Sequence, residues 1–139
     1  MSTKQTNPKD AIGIKKVPFN LVPGQVLGEI NLAMFEGSRK YGAYNFRMRP
    51  IKASVYFEAI DRHMKAFIEG QDIDPESNLC HLAKASACLV ILQDARLNGN
   101  LIDDRPPKAK NQNWIDYYNK KVVEIIEKYP NGLPPYTEL

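Results

Sequence analysis

The sequence predicts an all-α fold of about four helices with extended arms at both ends, on three observations. Apolar residues recur at three- and four-residue intervals in four separate windows. Clusters of Gly and Pro separate those windows. No stretch shows the strict apolar–polar alternation of a half-buried strand. A chain of 139 residues, 43% hydrophobic, suits one domain spanning 1–139 that buries its core without disulfides.

The elements follow in order. Residues 1–24 hold Pro8, Pro18, Pro23 and Gly24 with little periodicity and read as an extended N-terminal arm. From Gln25 to about Ser38, Leu27, Ile30 and Met34 keep helical spacing, continued by Tyr41; Gly37 and Gly42 break the pattern. KYGAYNFRMRP, residues 40–50, reads as a loop, and Pro50 disfavours helix at Arg49. A second helix, from about Ser54 to Glu69, puts Tyr56, Ile60, Met64, Phe67 and Ile68 on one face. His63 lies inside that arc, and Glu58, Asp61, Arg62, Lys65 and Glu69 lie roughly opposite. Gly70 ends it. Asp74-Pro75-Glu76 then offers an N-cap, a proline at the first helical position and an acid in the first turn of a third helix. That helix runs to about Leu97, with Leu82, Ala85, Cys88, Leu89 and Leu92 as its stripe and His81 among them. The short connection makes helices two and three antiparallel neighbours. DDRPPKAKN, 103–111, is a linker. A fourth helix, Trp114 to Lys128, would bury Trp114, Tyr118, Val122, Ile125 and Ile126, and 129–139 is an extended tail.

Net charge is +3, too little to argue for duplex nucleic acid. No apolar run is long enough to span a membrane or resembles a signal peptide. Cys80 and Cys88 read as reduced core thiols, which points to a cytoplasmic protein.

The stretch RHMKAFIEGQDIDPESNLCHL, 62–82, carries the chemistry. It sets both histidines, His63 and His81, on either side of a segment holding Glu69, Asp72, Asp74 and Glu76. Burying neutral polar groups costs on the order of 1–3 kcal/mol each unless they find partners. Two inward histidines beside carboxylates therefore suggest one connected polar site. Carboxylates hold Mg²⁺ or Mn²⁺, and Mn²⁺ accepts imidazole as well. Either histidine would alternatively contact phosphate or act as a general acid–base. Glu58 and Asp61 make an ExxD pair, and Glu29 and Glu36 lie seven apart on another helix; both patterns also fit a solvated face. The loop 40–47 combines Lys40 and Arg47 with Tyr41, Tyr44 and Phe46, a pattern for phosphate neutralisation and base stacking. There is no GxGxxG, Walker A loop, GxSxG, zinc-type cysteine pairing or adjacent His-Asp doublet.

NPKDAIG (7–13), KYGAYNFR (40–47), the SxYxxAxxRH of 54–63, EGQDIDPES (69–77) and HLAKASACLVILQD (81–94) resemble the phage-encoded dATP/dGTP diphosphohydrolase family. That family is related to the MazG-like all-α nucleoside triphosphate pyrophosphohydrolases. The resemblance implies a MazG-like helical bundle and hydrolysis of a purine deoxynucleoside triphosphate to monophosphate and pyrophosphate. It also implies Mg²⁺ or Mn²⁺ on acidic helices, a dimer or tetramer, and a setting in the host cytoplasm. Lys40, Tyr41, Asn45, Arg47, Arg62, His63, Asp74, Ser77 and His81 fall on motif positions. Phe46 stands where Trp is usual, Gln71 where Glu is usual, Asn78 where Gly is usual and Lys84 where a second His is common. Residues and resemblance together make His63, Glu69, Asp74 and His81 the catalytic candidates. Lys40, Tyr41, Asn45, Arg47, Ser54 and Arg62 are the substrate-binding candidates. Glu69, Asp72 and Asp74 are the metal candidates, with Glu36, Glu58, Asp61 and Asp94 as a second set. Two other readings stay open: a non-catalytic module of phage origin that binds a nucleotide or a host protein, and an HD-type triphosphohydrolase, which would release tripolyphosphate.

Overall fold

The computed structural model describes residues 6–138; residues 1–5 and 139, the outer ends of the two expected arms, lie outside the described residues. The described chain is 57% helix and 6% strand, so the all-α reading holds in outline. It forms two compact units, one ending at Arg105 and one beginning at Pro106.

The N-terminal arm is not wholly extended. It contains α1, Pro8–Gly13, started by a capping box in which the Asn7 side chain accepts from the Lys9 amide and Asp10 accepts from the Asn7 amide. The long helices of the first unit are α2 (Gly24–Tyr41), α4 (Ala53–Ile68) and α5 (His81–Leu97). A four-residue helix, α3 (Asn45–Met48), turns inside the segment expected to be loop. Gly42 makes this turn possible: it ends α2 at φ 92°, ψ 136°, a conformation open to glycine and strained for other residues.

Four two-residue strands, not expected from the sequence, complete the unit. β1 (Ile51–Lys52) pairs parallel with β4 (Leu101–Ile102), and β2 (Ile73–Asp74) pairs antiparallel with β3 (Leu79–Cys80). They are too short to show alternation, so no sequence period could reveal them. The β2–β3 hairpin corrects the start of the third helix. Asp74 does not cap it; α5 begins at His81, and Asp74 lies in the hairpin seven residues earlier. Pro75 accordingly sits in the turn and not at a helix N-terminus.

α5 packs chiefly against α4 and next against α2. Its buried side chains are His81, Ala83, Ala85, Ala87 and Ala95, whereas Leu82 and Leu89 are 40% and 49% exposed. Of the expected stripe, Ala85 is buried and Leu92 packs on the core beside Ala95, whereas Leu82 and Leu89 give way to alanines. A helix flanked on two sides buries more than one face, and small side chains let the neighbouring backbones approach. Ala83 and Ala87 meet Ala33 of α2; Ala95 packs with Phe46 and Ile51, covered by Met34, Tyr56, Ile91, Leu92 and Leu101.

The second unit holds α6 (Trp114–Lys128). Its expected burial is not observed: Trp114, Tyr118, Val122, Ile125 and Ile126 are all 47–59% exposed. Its helical period is real, but these side chains keep about half of their surface exposed. Cys80 and Cys88 are free thiols, both half-buried. No described helix is long and apolar enough to cross a membrane.

Candidate functional site

The hairpin brings the acidic loop back onto the inner faces of α4 and α5. Asp74 Oδ1 accepts from the Glu76 amide at 3.0 Å, and Ser77 Oγ donates to Asp74 Oδ2 at 3.3 Å. Asn78, at φ 60°, completes the turn, its amide bonded to the Asp74 carbonyl at 2.8 Å. The His81 amide donates to the Asp72 carbonyl at 2.9 Å, which seats the first residue of α5 against the hairpin. The Asp74 carboxylate is thereby aimed at the histidines from a fixed turn.

His63, from the middle of α4, meets His81, from the start of α5, with their Nδ1 atoms 2.8 Å apart. His81 Nε2 lies 2.7 Å from Gln71 Oε1. Gln71 Oε1 can only accept, so His81 carries its proton on Nε2 and leaves a lone pair on Nδ1; His63 Nδ1–H then donates to it. Donor atoms of His63, His81 and Asp74 all lie within 4.8 Å of one another. His81 is 5% exposed, so its two ring partners account for its burial. Burial, the neighbouring His81, Lys84 and Arg62 push the His63 pKa down against the pull of Asp74, favouring the neutral ring. Burial alone would raise the Asp74 pKa, but the Glu76 amide, both histidines and Ser77 hold it below its ordinary value.

His63 also lines a cavity of roughly 460 Å³ between the second half of α2, the 41–46 segment, and the facing sides of α4 and α5. That volume suits a small-molecule ligand. Tyr41, Tyr44 and Tyr56 contribute aromatic surface, and Lys40, Lys84 and Glu36 contribute charge. Lys84 Nζ donates to Glu36, and Lys40 stands 3.6 Å from the same carboxylate oxygen, so the trio carries a net positive charge. The hydrogen bond from Lys84, opposed by desolvation and helped by the charges of both lysines, lowers the Glu36 pKa. Its stability contribution is therefore present above the unfolded pKa near 4.5 and lost as pH falls through the lower folded value. Glu36→Gln is expected to remove that segment of the acid limb, so that thermal midpoints of variant and parent converge as pH falls through the lowered folded value; a constant gap at every pH would refute the assignment.

The structure sorts the sequence candidates. It brings together His63, Asp74 and His81, and it lines the adjoining cavity with Glu36, Lys40, Tyr41 and Asn45. It does not gather the rest. Arg47 grips Asp94 through Nε and Nη2 at 2.9 Å each, so a phosphate candidate and a metal candidate occupy one another. Ser54 donates from its amide and hydroxyl to Asp104. Asp61 pairs with Lys65. Glu58, Arg62, Glu69 and Asp72 have exposed side chains outside both cluster and cavity. Three residues of the site have no role assigned from sequence: Lys84, Tyr56 and Gln71. Lys84 is legible in principle, one helical turn beyond His81 on the same face. Tyr56 lies two turns before His63.

Fold and site define a helical protein whose histidine–carboxylate cluster adjoins a basic and aromatic cavity. The chain belongs to the family described as dATP/dGTP diphosphohydrolase, N-terminal, whose model matches residues 6–105. The match ends where the first compact unit ends. No curated protein and no solved structure matches the chain.

Proposed function

We propose that the chain hydrolyses a purine deoxynucleoside triphosphate to the monophosphate and pyrophosphate in a divalent-metal-dependent reaction. The observation that carries this reading is that His63 belongs both to the cluster with His81 and Asp74 and to the wall of the cavity. A ligand in the cavity would thus meet the titratable centre directly. Lys84 and Lys40 would balance the phosphate charge, and Tyr41, Tyr44 and Tyr56 would offer faces for the base. Asn45 would give the base a polar contact. A divalent ion on Asp74 with the two histidines would neutralise charge at the attacked phosphorus and acidify water.

The family relationship supports the reaction class. A MazG-like bundle of about four helices is the proposed architecture, supported by the packing of α5 on α4 and α2. A homo-oligomer, dimer or tetramer, belongs to the same reading and would cover apolar side chains such as Leu27, Leu32 and Phe35, which are 41%, 59% and 56% exposed. So does action on the nucleotide pool of a host cytoplasm during phage infection.

The deciding experiment incubates the protein with each dNTP plus Mg²⁺ or Mn²⁺ and separates the products. Monophosphate with pyrophosphate supports the proposal. Tripolyphosphate would replace it with an HD-type reaction. Nucleotide binding without turnover would replace it with a non-catalytic binding module.

Arg47 and Asp94 become positioning residues in this scheme. Their bidentate pair, with Asn100 Nδ2 donating to the carbonyls of Phe46 and Arg47, holds the 41–46 wall against the end of α5. Asp94→Asn is expected to raise KM severalfold with kcat within about twofold, because it loosens binding and leaves the cluster intact. A large fall in kcat at unchanged KM in steady-state kinetics would instead return Asp94 to the reacting centre.

A further inference from the structure

We infer that His63, His81 and Asp74 form a centre selective for a first-row transition-metal ion over Mg²⁺, with Gln71 positioning His81 for that ion. The inference rests on the proposed function for what the ion does, but not for its binding.

Mg²⁺ takes oxygen ligands and gives up water reluctantly. Imidazole suits Fe²⁺, Co²⁺, Ni²⁺ and Zn²⁺. Two of the three donors here are imidazole nitrogens, and the carboxylates that would make an oxygen-rich site lie elsewhere: Glu36 on Lys84, Asp94 on Arg47, Asp61 on Lys65. The two Nδ1 atoms face each other at 2.8 Å. Bonds of about 2.1 Å at ordinary coordination angles need them only about half an ångström further apart. To take the ion, His63 would carry its proton on Nε2 in place of Nδ1, which frees the Nδ1 lone pair and keeps both rings in the neutral form an ion requires. Gln71 Oε1, accepting from His81 Nε2–H at 2.7 Å, fixes the tautomer whose Nδ1 lone pair points into the cluster. Three protein donors leave coordination positions for water or a ligand oxygen.

The test titrates tag-free, full-length protein with Co²⁺ alone and follows visible d–d absorption, then challenges with millimolar Mg²⁺. One tightly bound Co²⁺ per chain, not displaced by Mg²⁺, is expected. His63→Asn and His81→Asn should weaken Co²⁺ binding by about 100-fold or more, with fold checked by circular dichroism. Gln71 is exposed, so Gln71→Leu tests the centre with little risk to folding; it should weaken binding by about 10- to 100-fold, the usual cost of losing such a partner. Gln71→Glu keeps an acceptor and should stay within a few-fold of the parent. The inference falls if folded protein binds no Co²⁺, if Mg²⁺ displaces it readily, or if Gln71→Leu binds as the parent does. Turnover in Mg²⁺ alone without Co²⁺ binding would sink the inference and leave the proposed reaction standing. Selective Co²⁺ binding without turnover of any dNTP would do the reverse.

Discussion

Asp74→Asn is expected to lower turnover by about 10²-fold or more while leaving the thermal unfolding midpoint nearly unchanged. The two halves of this expectation have separate causes. The Asp74 side chain closes a turn by accepting from the Glu76 amide at 3.0 Å, and an asparagine Oδ1 can accept the same bond. The charge is what the substitution removes, and the charge is what faces His63 and His81. A neutral amide neither holds a cation as a carboxylate does nor supports an imidazolium beside it. Steady-state kinetics and a thermal melt on one sample decide the matter. Unchanged turnover would remove Asp74 from the reacting centre and leave it a turn residue.

Phe46→Ala is expected to cost about 3 kcal/mol of unfolding free energy, the low end for truncating a buried phenylalanine. Phe46 is 8% exposed and packs with Ile51 and Ala95, overlaid by Met34, Tyr56, Ile91, Leu92 and Leu101. It is also the only buried side chain described in the 41–49 segment, so it anchors the cavity wall to which Tyr41, Tyr44 and Asn45 belong. The same change should therefore weaken ligand binding beyond its effect on stability. Urea unfolding gives the first quantity and nucleotide titration under folded conditions the second. A loss below about 1 kcal/mol would mean that the wall is held by the Arg47–Asp94 and Asn100 contacts and not by this ring.

Much of the site is legible in the amino-acid order alone. Helical spacing places His63 and His81 on inner faces, and the short acidic segment between them implies that the faces meet. The basic and aromatic composition of 40–47 singles out this segment, and Lys40, Tyr41 and Asn45 line the cavity. The misplacements also have causes. Asp74-Pro75-Glu76 has every local mark of a helix start, yet β2 and β3 pair across it and delay α5 to His81. Leu82 and Leu89 look like core because they are large, yet α5, packed against both α4 and α2, buries alanines. The apolar period of α6 correctly predicts a helix and wrongly predicts burial, since periodicity says which residues share a face and not what covers it.

The sequence by itself determined the four long helices in outline, because the 3.6-residue period and the Gly and Pro stops are properties of neighbouring residues. It also determined that the two histidines share one end of a helical hairpin. Tertiary structure alone decided which charges are spent and which remain. Arg47 and Asp94 lie 47 positions apart and Glu36 and Lys84 lie 48 apart, so no local rule couples them. In the folded chain each of these charges lies within hydrogen-bond reach of its opposite. What is left is a cluster of two histidines and one aspartate, held by a glutamine to which no sequence pattern assigns a role.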